Sequence, residues 1–159
     1  MWQAGAIDGL QFARGAETLK GTLDPSRLRR LAEMRCATEG LSYELSGRTD
    51  VEGRCWLRVS ATGTLRLECQ RCLGPLEFDL ALCSDLLLAQ SEREIALADD
   101  DIDRVLAGNE MDVGTLVEDE VLLALPIAPM HEHCGGRRDS ADSGRPSPFA
   151  ALAKLKGIH

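Results

Sequence analysis

Aromatic residues are scarce in this chain. Two tryptophans, one tyrosine and three phenylalanines make up 4% of 159 residues, although 44% of the residues are apolar. A core must therefore be assembled mostly from Leu, Val and Ala, and the length suits one domain of ordinary size. No apolar run approaches the roughly 20 residues that cross a bilayer, so no membrane partner is expected. The opening Met1-Trp2-Gln3-Ala4-Gly5-Ala6 has no basic region leading into an apolar stretch, which predicts no secretory signal and a cytoplasmic protein. Internal repeats are absent. So are the Gly-x-Ser-x-Gly elbow, a phosphate-cradling glycine loop and the paired His/Glu metalloprotease motif, and nothing else in the chain forces an enzyme reading.

Six cysteines are present, and in a cytoplasmic chain they are expected to be reduced. Cys36, Cys55 and Cys83 are isolated, and Cys55 falls in an apolar strand register as a small core residue. The formal net charge of −8 is unevenly spread: the stretch from Asp85 to Glu120 carries −10 and the remainder +2. The acidity is thus regional. It argues against a polyanion only for that stretch, which reads either as a solvated face or as a surface for a basic protein.

Periodicity organises the chain. Residues 1–16 read as loosely structured, Thr18 to Leu23 as a short strand, and Asp24-Pro25 as the cap and first residue of a short helix ending by Gly40. From Leu41 the period becomes two. Leu41/Tyr43/Leu45, Cys55/Leu57/Val59/Ala61, Leu65/Leu67/Cys69 and Leu76/Phe78/Leu80/Leu82 alternate with polar residues across short turns, which predicts an antiparallel meander. Residues 91–101 read as an exposed acidic loop and Ile102 to Leu106 as a further strand. Asp112 caps a helix carrying Val113, Leu116, Val117 and Val121 on one face, stopped by Leu125-Pro126.

The expected fold is α+β: an antiparallel β-meander or partly closed barrel of four to six strands, a packing helix after it, and short N- and C-terminal helices. Residues 17–134 form the domain and 135–148 have the composition of a flexible linker. Residues 149–156 make a terminal helix with Phe149, Leu152 and Leu155 on one face.

Two constellations invite chemistry. Cys69-Gln-Arg-Cys72 lies where a strand turns, and His131-Glu-His133-Cys134 follows at a distance. Thiolates and imidazoles are the donors Zn(II) prefers, so Cys69, Cys72, His131, His133 and Cys134 are candidate metal ligands, more numerous than the four places of a tetrahedral site. The competing reading makes Cys69 core, Cys72 a turn residue and 131–134 a loop; a thioredoxin-like redox role has no strand-helix-strand pattern to support it. The second constellation is Arg54, Trp56, Arg58 and Arg66 on the polar side of adjacent strands, with Arg71 following. Arginines beside one aromatic suit an RNA-binding sheet, although Glu44, Glu68 and Glu77 share that face. The consecutive Glu118-Asp119-Glu120 splay around their helix and cannot converge on one substrate.

Three blocks in order carry a family resemblance: Leu67-Glu-Cys-Gln-Arg-Cys-Leu-Gly-Pro75, Leu116-Val-Glu-Asp-Glu-Val-Leu-Leu-Ala-Leu-Pro-Ile-Ala-Pro-Met-His131 and Pro148-Phe-Ala-Ala-Leu-Ala-Lys-Leu-Lys156. Together they resemble the YceD family, the large ribosomal RNA subunit accumulation proteins, from about Gly21 to Lys156. The resemblance implies a non-enzymatic factor in synthesis, processing or stability of 23S ribosomal RNA. Such a factor would bind precursor RNA or an assembling large-subunit ribosomal protein. Family members vary at the cysteines, so zinc is allowed rather than required. The alternative is a metal-dependent RNA-processing enzyme using the Cys/His site, which needs an open coordination position and a base.

Overall fold

The structure is a computed structural model, and residues 5–134 are described. The linker expected at 135–148 and the helix at 149–156 lie outside those residues. The chain runs β1 (Ala6–Ile7), α1 (Gly9–Arg14), β2 (Thr18–Leu23), a 3-10 turn (Pro25–Arg27), α2 (Arg29–Glu33), β3 (Ala37–Thr38), β4 (Leu41–Thr49), β5 (Cys55–Glu68), β6 (Pro75–Ala89), α3 (Glu92–Ala96), β7 (Arg104–Leu106), β8 (Met111–Asp112) and α4 (Val113–Ala124).

Six strands form the main sheet in the order β2-β4-β5-β6-β7, with β3 joining the far half of β5. The sheet does not close, because β2 and β7 remain its two edges. All pairings in it are antiparallel except β6 with β7. That parallel edge exists because the chain crosses back through α3 before re-entering the sheet beside Leu87–Ala89.

Alternation in the sequence becomes one buried face. Leu41, Tyr43 and Leu45 of β4 lie beside Leu57, Val59, Ala61, Leu65 and Leu67 of β5 and Leu80 of β6, all buried. Val113, Leu116, Val117 and Val121 of α4 close this face, as three/four spacing places them on one side of the helix. Asp112 caps α4 as expected, its carboxylate accepting the Thr115 N–H at 2.6 Å.

Two segments differ from expectation. Residues 6–14 are not loose: Asp8 caps α1 by accepting the Gln11 N–H, and Phe12 and Ala13 are buried against the sheet. The helix lies so close to β4 that a methyl at Gly47 would stand 2.6 Å from the Ala13 Cα and Phe12 carbonyl. Only glycine permits that approach. Within 91–101, residues Glu92–Ala96 form a helical turn. Ser91 accepts the Glu94 N–H while the Glu94 carboxylate accepts the Gln90 N–H, a variant of the reciprocal Ser-x-x-Glu cap that the sequence carries in plain view. The N-terminal helix is short and ends before Gly40 as expected, at Glu33, with Arg35 at φ +56° turning the chain into β3.

Candidate metal centre and the arginine face

Where β5 ends, Cys69 turns the chain. Its N–H donates to the Gly74 carbonyl and its own carbonyl accepts the Leu73 N–H, both at 2.9 Å. Leu73 takes a left-handed conformation, φ +59°, to complete the turn. The loop thereby presents Cys72 on the same side as Cys69. Beyond α4, the Pro126–Pro129 segment returns over this turn, and the Gln70 N–H donates to the Pro129 carbonyl at 2.8 Å. That bond sets His131 and Cys134 opposite the two cysteines.

The result is a convergence of four donors. Cys69, Cys72, His131 and Cys134 place one ligand atom each within 4.8 Å of all the others. Cys69 Sγ lies 4.0 Å from Cys134 Sγ, and Cys72 Sγ lies 3.4 Å from His131 Nδ1. A tetrahedral zinc with Zn–S bonds near 2.3 Å separates its sulfurs by about 3.8 Å, so this spacing accommodates the ion with minor adjustment. The imidazole is oriented from behind: His131 Nε2 sits 2.9 Å from the Pro75 carbonyl, to which it can only donate, leaving the Nδ1 lone pair facing the sulfurs. Cys69 is prepared as a thiolate. Backbone N–H groups of Cys72, His131 and Arg71 hold its thiol down at about 6 against the opposing effect of burial. Burial and the neighbouring Cys69 push the Cys134 thiol up. His133, the fifth candidate, is exposed and stays out of the cluster.

The candidate RNA-contact residues are placed differently. Asp50, at the β4–β5 turn, accepts the Arg54 and Glu52 N–H groups through Oδ1. Through Oδ2 it accepts Arg54 Nε at 2.8 Å and the Trp56 indole N–H at 2.9 Å. Arg48 and Arg54 stack over the Trp56 ring, 4.8 and 5.6 Å from its centroid. Arg58 forms a bidentate pair with Asp85, both bonds at 2.9 Å. Arg66 and Arg71 are exposed and, among the described residues, form no ion pair. The structure therefore engages Arg54 and Trp56 with Asp50 and Arg58 with Asp85, and leaves Arg66 and Arg71 outside these pairings.

The Trp56 indole N–H, more than any other contact, holds the Asp50 carboxyl well below the ordinary carboxylate range; Arg58 lowers Asp85, and Arg104 holds Asp100 at about 2. Depressed folded-state values mean the stabilisation is complete above about pH 4, the unfolded carboxylate value, and is lost as pH falls through the lower folded values. Acid titration followed by tryptophan fluorescence is expected to show the Trp56 environment opening below pH 4. Asp50→Asn should remove most of that acid-dependent step, and an unchanged profile in this variant would place the transition elsewhere.

Sequence reading missed one ionic lock. Glu118, in the middle of α4 and only 5% exposed, reaches the start of α2. It accepts the Arg30 N–H at 2.8 Å, the Leu31 N–H at 3.1 Å and Arg30 Nε at 3.2 Å. The Arg30 guanidinium also pairs with Asp119. Leu28, at the N-cap of α2, offers no side-chain acceptor, so a carboxylate 88 residues away takes that role. The acid triplet of α4 is thus partly structural, and no local signal in the sequence marks its partner.

Taken together, an open, mostly antiparallel sheet packed by α1 and α4, with a Cys/His corner at the β5–β6 turn whose four donors could hold a metal, defines an α+β protein with a candidate metal centre. The family model described as Large ribosomal RNA subunit accumulation protein YceD matches residues 57–156. The chain belongs to the YceD family. A curated relative, the Large ribosomal RNA subunit accumulation protein YceD of Haemophilus influenzae (strain ATCC 51907 / DSM 11121 / KW20 / Rd), is 35% identical over 106 residues, covering 57% of this chain. The matched region spans 59% of that relative's length. No solved structure matches the chain.

Proposed function

We propose that this protein is a non-enzymatic factor in the accumulation of large-subunit ribosomal RNA, working in the cytoplasm as a binding scaffold whose Cys/His corner holds one structural zinc. The observation that carries the reading is the family match over 57–156, which takes in both arms of the Cys/His corner. Four protein donors fill a tetrahedral set, whereas a catalytic zinc keeps a position for water or substrate. Among the described residues no carboxylate joins the cluster as a base. Those features support a structural ion over an RNA-processing one.

The direct partner is better read as a basic ribosomal protein than as RNA. The chain carries −8 overall, and Arg54 and Arg58 are occupied by Asp50 and Asp85. Arginines already neutralised release few counterions from a phosphate backbone. Complementation of a deletion strain tests the role: the wild-type gene is expected to restore large-subunit RNA levels, and Cys69→Ser to restore them poorly. In a companion binding assay, Arg58→Ala with Arg66→Ala should leave the affinity for precursor RNA and its salt slope unchanged. A steep slope that this double variant flattens would instead make RNA the direct partner.

A further inference from the structure

The longest strand of the sheet has an open side. β6 runs from Pro75 to Ala89 and pairs with β5 along almost its whole length. On its other side β7 covers only Leu87–Ala89. There the Leu87 N–H donates to the Asp103 carbonyl and the Ala89 carbonyl accepts the Ala107 N–H. Backbone groups on a strand alternate in direction. Residues 77, 79, 81 and 83 therefore aim their N–H and C=O groups outward along the same side as 87 and 89. Among the described residues no backbone hydrogen bond reaches them.

We propose that this edge of β6, from Glu77 to Cys83, receives an extended polypeptide segment of alternating basic and apolar residues as an added strand. The proposal deepens the scaffold reading by naming the class of partner that the protein would hold. Backbone complementarity supplies the pairing, and the two faces of the strand supply the pattern. On the polar face Glu77 and Asp79 are exposed, and neither forms an ion pair among the described residues. They bound a groove of about 520 Å³ on the polar face that runs from β3 across β5 to β6, where Glu39, Glu77 and Asp79 outweigh Arg66, so the face beside the open edge is net negative. On the opposite face Leu76, Phe78 and Leu82 are only half-buried, at the rim of the core, and an added strand's apolar side chains would finish covering them.

The same charges select against other occupants. Two copies of this edge paired antiparallel around Asp79 would set the two Asp79 carboxylates directly against each other, and like charges opposite one another are how exposed edges avoid self-association. RNA would meet the same carboxylates. A segment with Lys or Arg at every second position meets neither obstacle.

The test uses the full chain and a synthetic eight-residue peptide alternating lysine with valine, together with a glutamate-valine counterpart. Hydrogen exchange read by NMR is expected to show at least tenfold protection of the Asp79, Ala81 and Cys83 amides with the basic peptide and none with the acidic one. Glu77→Lys with Asp79→Lys keeps the backbone and should reverse the preference between peptides. Ala81→Pro removes one outward N–H without touching the β5 ladder and should weaken binding at least tenfold. Absence of protection, equal protection by both peptides, protection by an oligoribonucleotide, or protection that grows with protein concentration alone would each overturn the proposal. Because the titration contains no ribosomal component, its outcome is independent of the complementation result.

Discussion

Removing zinc is expected to loosen one corner of the protein while the sheet remains folded. Purified under reducing conditions, the chain should carry one equivalent of zinc by elemental analysis, and a strong chelator should strip it. A ligand held at about 1,000 times its dissociation constant contributes about 4 kcal/mol. In a domain of this size that corresponds to a fall of roughly 10 °C in Tm. The loss is local because the corner ties residues 125–134 to the β5–β6 turn, whereas Leu41, Leu45, Leu57, Val59 and Val117 form a core independent of it. Cys69→Ser, Cys72→Ser, His131→Ala and Cys134→Ser should each abolish stoichiometric binding. His133→Ala should bind like wild type, since the imidazole of His133 lies outside the four-donor cluster. If His133→Ala lost its zinc and His131→Ala kept it, the ligand set described above would be wrong.

The second large effect is expected at Glu118, which has nothing to do with the metal. Glu118→Ala leaves the Arg30 and Leu31 N–H groups without their acceptor at a partly buried helix start. It also leaves the Arg30 guanidinium with only Asp119 and the Thr115 carbonyl. Hydrogen bonds to a charged group are worth about 1.5–3 kcal/mol, and orphaned donors add to the cost. A loss of about 3 kcal/mol in urea unfolding is the expected result. Glu118→Gln retains one oxygen for both N–H groups and should recover roughly half of that. Asp119→Ala removes only a half-exposed pair and should cost below about 1 kcal/mol. If Glu118→Ala fell within about 0.5 kcal/mol of wild type, the capping role would be untenable.

These two effects differ in how much of them could be read beforehand. Cys69, Cys72, His131 and Cys134 are marked as candidates by residue type, since thiols and imidazoles are the donors zinc prefers, although the same spacing also fits a core cysteine, a turn and a loop. What spacing leaves open is the choice among five donors. His131 and His133 are two residues apart and chemically identical, and the decision falls on the one whose Nε2 meets the Pro75 carbonyl. Glu118 announces nothing. Its neighbours Asp119 and Glu120 look the same in sequence, and its partner lies at the start of a helix whose N-cap residue, Leu28, has no side-chain acceptor. The arginine face is intermediate. Arg54, Trp56 and Arg58 do lie on the polar side of their strands, but Asp50 and Asp85 had already engaged them.

The sequence by itself determined the parts that depend on period and on local chemistry. A strict alternation of apolar residues specifies strands with one wet and one dry face, and three/four spacing after Asp112 specifies a helix that covers the dry one. The turn signals between strands made the pairing antiparallel, because short connections allow nothing else. Tertiary structure decided whatever depends on groups far apart in the chain. It set β7 parallel to β6, seated α1 against Gly47, selected His131 over His133, and sent Glu118 across to α2. Among the described residues it also left one side of β6 without a partner between Glu77 and Cys83. Local patterns record which face of an element is apolar; they carry no record of which backbone edge, carbonyl or carboxylate will stand opposite once the chain has closed.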